Sequence, residues 1–311
     1  MHSHDHHSPG HHHTPATGAR LKLALAVTVA FIVVELIGGI QARSLALLSD
    51  AGHNFTDALA LLLAWFAFYA EARPPNQTKT YGYQRAGVLA AFVNALALVL
   101  LAGFIFYESY ERLKSPPDVR EGIMIGVAGA GFVVNLGIVL ALRGASRDDL
   151  NIRSAVVHQL GDALGSIGII LGGVLIAWTG SRWIDPVLSI LIGLLILWTA
   201  RDIIKESLNI LLEGLPKGLH LEAVTGAIRE VPGVIDVHDI HIWSLASHSH
   251  ALSCHVMIDD VPPSSSERIL RYVNDMLAGR FQITHTTIQF EHALCEISGV
   301  GCTAARVERR A

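Results

Sequence analysis

Six long apolar runs constrain this chain more than any other feature: residues 21–40, 45–69, 86–107, 122–142, 155–178 and 184–203. Each reaches the roughly 20 residues that a helix needs to cross about 30 Å of hydrocarbon. Inside lipid the backbone must satisfy its own hydrogen bonds, so runs of this kind read as spanning helices. Composition agrees. Of 311 residues, 51% are hydrophobic and 16% charged, with a mean hydropathy of +0.44; a soluble domain carries about 25% charged residues. The net charge of −4 argues against nucleic-acid binding, which needs a basic stripe. The first run is too long for a signal-peptide core and no cleavage site follows it, so it is expected to stay as a span.

The flanks set the organisation. Residues 1–19 hold His2, His4, His6, His7, His11, His12 and His13 among Ser, Pro and Gly. They read as a disordered tail that binds metal loosely, or as a purification tag. Six spans put both termini on one side. Arg20, Lys22, Arg73, Lys79, Arg85, Arg143, Arg147, Arg153, Arg201 and Lys205 flank one set of loops, and Arg43, Arg112, Lys114, Arg120 and Arg182 the other. This bias places both termini in the cytoplasm. From about residue 213 the chain turns polar. Its patterning predicts a helix over 219–231, strands over 234–244 and 251–259, a helix over 264–279 capped by Ser264–Ser266, and a strand over 284–291. The fold class expected is an α-helical membrane protein: six transmembrane helices, then a small cytosolic α+β domain of α-β-β-α-β order, ferredoxin-like. The expected divisions are a tail (1–19), a transport domain (20–210), a metal-binding domain (211–296) and a C-terminal tail (297–311). Cys254, Cys295 and Cys302 are odd in number and irregular in spacing, which does not suggest a disulfide framework.

Two spans carry the same charged pattern. His53-Asn54-Phe55-Thr56-Asp57 and His158-Gln159-Leu160-Gly161-Asp162 each set an imidazole four residues before a carboxylate, hence on one helix face. Together they offer two nitrogens and two oxygens, a four-coordinate set suited to Zn2+. Mg2+ and Ca2+ prefer oxygen alone. Ionisable side chains in a span cost several kcal/mol and mark function by default. Asp50, one turn before His53, is either a carboxylate behind the ligands or on the ion's way in, or a cap on its helix. Glu35 is either part of a proton or cation path or a buried carboxylate bonded to neighbouring helices. Asn94 and Asn135 read as interhelical hydrogen-bonding residues.

Several stretches resemble the cation diffusion facilitator family. They are Ser44 to Asp57, Tyr81-Gly82-Tyr83-Gln84-Arg85-Ala86, His158 to Asp162, Asp185-Pro186, and Val237-His238-Asp239-Ile240-His241-Ile242-Trp243. The chain looks most like the bacterial zinc/cadmium/cobalt efflux branch, over residues 20–292. The resemblance implies a homodimeric metal/proton antiporter in a bacterial inner membrane, with no enzymatic step and no catalytic residues. It makes His53, Asp57, His158 and Asp162 the transport site, and the His at 53 implies zinc before cadmium. In the family's small domain, positions such as His238, His255 and Glu291 gather on regulatory Zn2+, with His241 or His292 joining and Cys295 and Cys302 capping a second ion. Arg85 and Glu213 would form a charged hinge at the domain junction. His248 and His250 read as solvated turn residues. The loop over 71–85 holds no histidine, so no metal is expected there.

The expected function is Zn2+/H+ antiport, with Cd2+ and Co2+ as further substrates, by alternating access around the His2Asp2 set. The alternative is a membrane-anchored metal buffer or sensor. An intramembrane metalloenzyme would need an open coordination position, which four protein ligands do not leave.

Overall fold

A computed structural model describes residues 15–142, 150–246 and 249–292. Six long helices come first: α1 (Pro15–Ala42), α2 (Leu45–Glu71), α3 (Ala86–Lys114), α4 (Glu121–Leu142), α5 (Leu150–Thr179) and α6 (Ile184–Leu211). Then follow α7 (Leu221–Arg229), β1 (Val234–Ala246), β2 (Ser249–Ile258), α8 (Pro263–Phe281) and β3 (Ile283–Glu291). The α-β-β-α-β order is the one its patterning predicts. Helices α3 and α6 overrun their apolar runs by several residues. Hydropathy marks only the part of a helix that lies in lipid, and both continue into polar sequence.

Five of the six long helices are long and apolar enough to cross a membrane: Leu25–Ala42, Ala86–Lys114, Glu121–Leu142, Ala155–Thr179 and Ile184–Leu211. At most a third of the most apolar window in each is buried within the protein, so their outer faces suit lipid rather than water. The sixth long helix, α2, is the least apolar over such a window. At 27 residues α2 is long enough, but Asp50, His53, Asn54 and Asp57 dilute its apolar character. Its outward face nonetheless displays Phe55, Leu61, Leu62, Trp65, Phe66 and Phe68.

The chain forms two compact units, Met1–Leu61 with Leu96–Ala200 and Leu62–Ala95 with Arg201–Ala311. In the first, α4 packs on α1 and α5 around Ala42, Ala46, Leu47, Met124, Ala128 and Ile169. Small residues allow the approach. A Cβ on Gly38 would stand 2.5 Å from Val127 Cγ2, and one on Gly173 would stand 2.7 Å from Ile125 Cγ1. The start of α2 is capped by Ser44, whose Oγ accepts from Leu47 N at 3.2 Å, and by Asp185 of α6. Asp50 lies beyond this first turn, which removes its reading as a helix cap.

In the second unit β2 is antiparallel to β1 and parallel to β3, in the order β1-β2-β3. Alternate residues Leu252, Cys254, Val256 and Ile258 meet Val224 and Ile228 of α7 and Ile269, Val273 and Leu277 of α8 in one core. β1 is bulged: His238 pairs with His255 but His241 with Ser253, so three steps on β1 match two on β2. The bulge shifts the core-facing positions from Val237 to Ile242. Asp239 adopts φ 49° inside it. His238 and Asp239 thus lie within one strand and not at its end. The start of α8 also differs from expectation. Pro262 takes the cap position with no side-chain bond and Pro263 opens the helix, a place where proline's missing N–H costs nothing. Ser266 Oγ donates instead to Pro263 O at 3.0 Å.

Candidate metal centre

The i,i+4 spacing brings His53 and Asp57 onto one face of α2 and His158 and Asp162 onto one face of α5, and the two faces meet. His53 Nε2 lies 3.6 Å from Asp57 Oδ2. His158 Nε2 lies 3.3 Å from Asp57 Oδ2 and 3.6 Å from Asp162 Oδ2. The two imidazole rings are 6.4 Å apart and nearly perpendicular. Donors at about 2.0–2.2 Å from a tetrahedral Zn2+ stand about 3.3–3.6 Å from one another; these three pairs match that spacing, although no three of the four side chains bring their donors within 4.8 Å of one another as they stand. His53 Nδ1 and Asp57 Oδ2 are buried and make no directed hydrogen bond; the atom of His53 that faces Asp57 is Nε2. Gln159 Nε2 donates to Asp162 Oδ2 at 3.3 Å. Spacing alone did not pick out Gln159, although it lies between the two ligands of its helix. Asp50 and Glu35 are buried, and Asn54 Nδ2 donates to Glu35 Oε2 at 2.9 Å.

A second group lies on the sheet of the small domain. His238 and His255 are directly paired across β1 and β2, and Glu291 of β3 pairs with Met257, two residues beyond His255. All three project from the face opposite the α7–α8 core, with one donor atom from each within 4.8 Å of the others. Among the described residues this is the one such set of three or more His, Cys, Asp or Glu. His238 Nε2 approaches Glu291 Oε2 at 3.1 Å and His255 Nδ1 approaches Glu291 Oε1 at 2.9 Å. Neither imidazole nitrogen makes a directed hydrogen bond. Close donors without hydrogen bonds are suited to a shared cation. His241 points elsewhere, to Asp239 Oδ1 at 3.3 Å. His292 Nδ1 meets Asp259 O at 3.1 Å. Neither joins the trio.

His250 Nδ1 lies 3.3 Å from Ser244 Oγ. Arg85 Nη2 reaches Glu213 Oε1 and Ser244 O, each at 3.4 Å. Cys254 is buried in the core, on the face of β2 opposite to its neighbour His255. Burial pushes its thiol up to about 12. The tail histidines, His248, Cys295 and Cys302 lie outside the described residues.

A model of the cation efflux transmembrane domain matches residues 21–212, and one of the cation efflux protein cytoplasmic domain matches residues 216–293. The chain belongs to the cation efflux family. Among family relatives, the metal cation efflux system protein CzcD of Cupriavidus metallidurans is 42% identical over 295 residues, 95% of this chain and 91% of that one. The cadmium, cobalt and zinc/H(+)-K(+) antiporter of Bacillus subtilis is 39% identical over 286 residues, 91% of this chain and 92% of that one. The zinc transporter ZitB of Escherichia coli is 41% identical over 298 residues, 94% of this chain and 93% of that one. A solved metal-bound C-terminal domain of the Cupriavidus CzcD transporter aligns with 24% of this chain and 99% of its own, at 42% identity and a TM-score of 0.22. With five strongly apolar helices, this cation efflux protein is an integral membrane protein.

Proposed function

We propose that this cation efflux protein exports Zn2+ from the cytosol in exchange for protons, with Cd2+ and Co2+ as further substrates. The observation that carries the reading is the convergence of the two His-x-x-x-Asp faces at 3.3–3.6 Å. Its nitrogen and oxygen donors suit Zn2+. The names of the relatives, which include zinc transport and cadmium, cobalt and zinc antiport, point the same way.

In the mechanism, His53, Asp57, His158 and Asp162 bind the metal ion as substrate. Binding needs deprotonated ligands, so protons compete for the same atoms. A low external pH then favours release outside, and the protonated site returns inward. Rocking of helices around a fixed midplane site is the common transporter solution. No covalent chemistry is involved. The protein works as a homodimer in a bacterial inner membrane with both termini cytoplasmic, and His238, His255 and Glu291 hold a regulatory Zn2+. Arg85 and Glu213 act as a charged hinge; equal dimer stability of Arg85→Ala and wild type would refute that role.

The test is Zn2+ uptake into proteoliposomes under an imposed pH gradient, with wild type beside Asp162→Ala. Uptake that depends on the gradient and is lost in the variant is the result expected. Uptake that persists in Asp162→Ala would move the site elsewhere. No uptake in either protein would favour a metal buffer or sensor.

A further inference from the structure

The metal quartet leaves Glu35 unused. This α1 side chain is 1% exposed, and its two oxygens have different surroundings. Oε2 accepts from Asn54 Nδ2 at 2.9 Å, whereas Oε1 is buried without a directed bond. Beside Glu35 stands the buried Asp50 carboxyl, within hydrogen-bonding approach, so the pair is satisfied only when a proton or another cation lies between the two groups. Asp50 in turn faces α5 across a glycine, with Oδ1 4.0 Å from where a Cβ on Gly165 would sit, about one turn along from Asp162.

Charge makes this arrangement incomplete as it stands. Among the described residues neither Glu35 nor Asp50 has an ion-pair partner. The other charged groups that act on them are Asp57 of α2 and Asp162 of α5, both acidic. The imidazoles of His53 and His158 are engaged with the quartet. Two ionised carboxylates buried side by side repel one another and lose their hydration. A positive charge between them removes both costs. The donors there are the oxygens of Glu35 and Asp50, a hard set that Zn2+ does not favour, while Asn54 turns its Nδ2–H to Glu35 and holds that carboxyl in place.

We propose that Glu35 and Asp50, with Asn54 positioning Glu35, form a second cation site, separate from the metal quartet, that holds the counter-ion of transport as a proton or an alkali cation. The inference rests on the transport reading above. It also supplies a route for coupling. Asn54 bonds Glu35 and is the chain neighbour of His53, so the occupant of one site acts on a ligand of the other through a single residue.

The test uses the full chain in proteoliposomes. Zn2+ uptake is followed under a pH, a Na+ or a K+ gradient imposed one at a time, and Zn2+ affinity is measured by calorimetry in detergent. In wild type one gradient should stimulate uptake, which identifies the ion. In Glu35→Gln that stimulation should be lost while Zn2+ affinity is retained. Undiminished stimulation in Glu35→Gln would overturn the second site. So would a matching loss of Zn2+ affinity, which would make Glu35 a support of the quartet. If Glu35→Gln does not fold, Glu35→Asp keeps the charge but withdraws it by one methylene; weakened stimulation is expected, and wild-type stimulation would overturn the proposal. Absence of uptake in wild type itself would overturn the transport reading, and this inference with it.

Discussion

Asp185 and Ser44, 141 positions apart, are joined by a 2.6 Å hydrogen bond from the serine hydroxyl to Asp185 Oδ1. The same carboxylate, fully buried at the start of α6, accepts from Leu45 N at 2.8 Å and Ala46 N at 3.3 Å. One helix thus caps another: the free N–H groups that open α2 are met by an acid from α6, where negative charge also suits the helix dipole. Arg112 of α3 stands 3.7 Å from Asp185 Oδ2 and donates to Arg43 O at 2.8 Å, so three helices share the joint.

Replacing Asp185 with Ala should leave these buried donors unmet. A buried group left unsatisfied costs about 1–3 kcal/mol, and breaking a buried charged pair about 3–5 kcal/mol. A clearly lower midpoint of thermal unfolding in detergent is expected, with Asp185→Asn between the variant and wild type. Wild-type stability in Asp185→Ala would show that the cap is dispensable.

Gln159 should act on the metal through Asp162. Removing a group that orients a ligand typically weakens metal binding roughly 10–100-fold, and the 3.3 Å bond suggests the lower end. Gln159→Ala should therefore raise the KM for Zn2+ by about tenfold, with a smaller change in kcat. A variant with unaltered KM would mean that the carboxylate is held by its helix alone.

Glu291 links both histidines of the cytosolic trio. Glu291→Ala should remove one Zn2+ per protomer, read by calorimetry on the full chain, while the quartet still binds. An unchanged stoichiometry would exclude the trio as a metal site.

Cys254 should be silent to thiol reagents. Its usual value of 9.0 is raised to about 12 by burial, and only the thiolate reacts. In a Cys295→Ser, Cys302→Ser background, no maleimide labelling is expected at pH 8 until denaturant is added. The sign for stability follows. The unfolded chain ionises this thiol first, so the contribution is complete below about pH 9 and is lost as pH rises towards 12. Prompt labelling of the folded protein would contradict the burial.

The two ligand faces of α2 and α5 were legible because a four-residue spacing has one meaning on a helix. The strand order was legible for a similar reason, since alternation in β2 separates Cys254 from His255 onto opposite faces. Long-range joints were not. The Asp185-Pro186 pair signals only a helix start, and no local pattern says that its carboxylate caps a helix 140 residues away. The bulge at Asp239 was hidden too, and with it the turning of His241 away from His238 and His255. Glu35 could be seen to be costly where it stands, but its missing partner appears only when Asp50 and Asn54 are brought beside it.

The weak apolarity of α2 bears on how the protein is made. A segment with six polar side chains among its first 13 residues is a poor candidate to enter a bilayer by itself, because each such group raises the free energy of insertion. Its polar face finds cover where Asn54 meets Glu35 of α1 and Asp57 meets His158 of α5. Residence of α2 in the membrane is therefore conditional on its neighbours, and α5 is synthesised some 80 residues later. During biogenesis the helix that carries His53 and Asp57 waits for the one that carries His158 and Asp162.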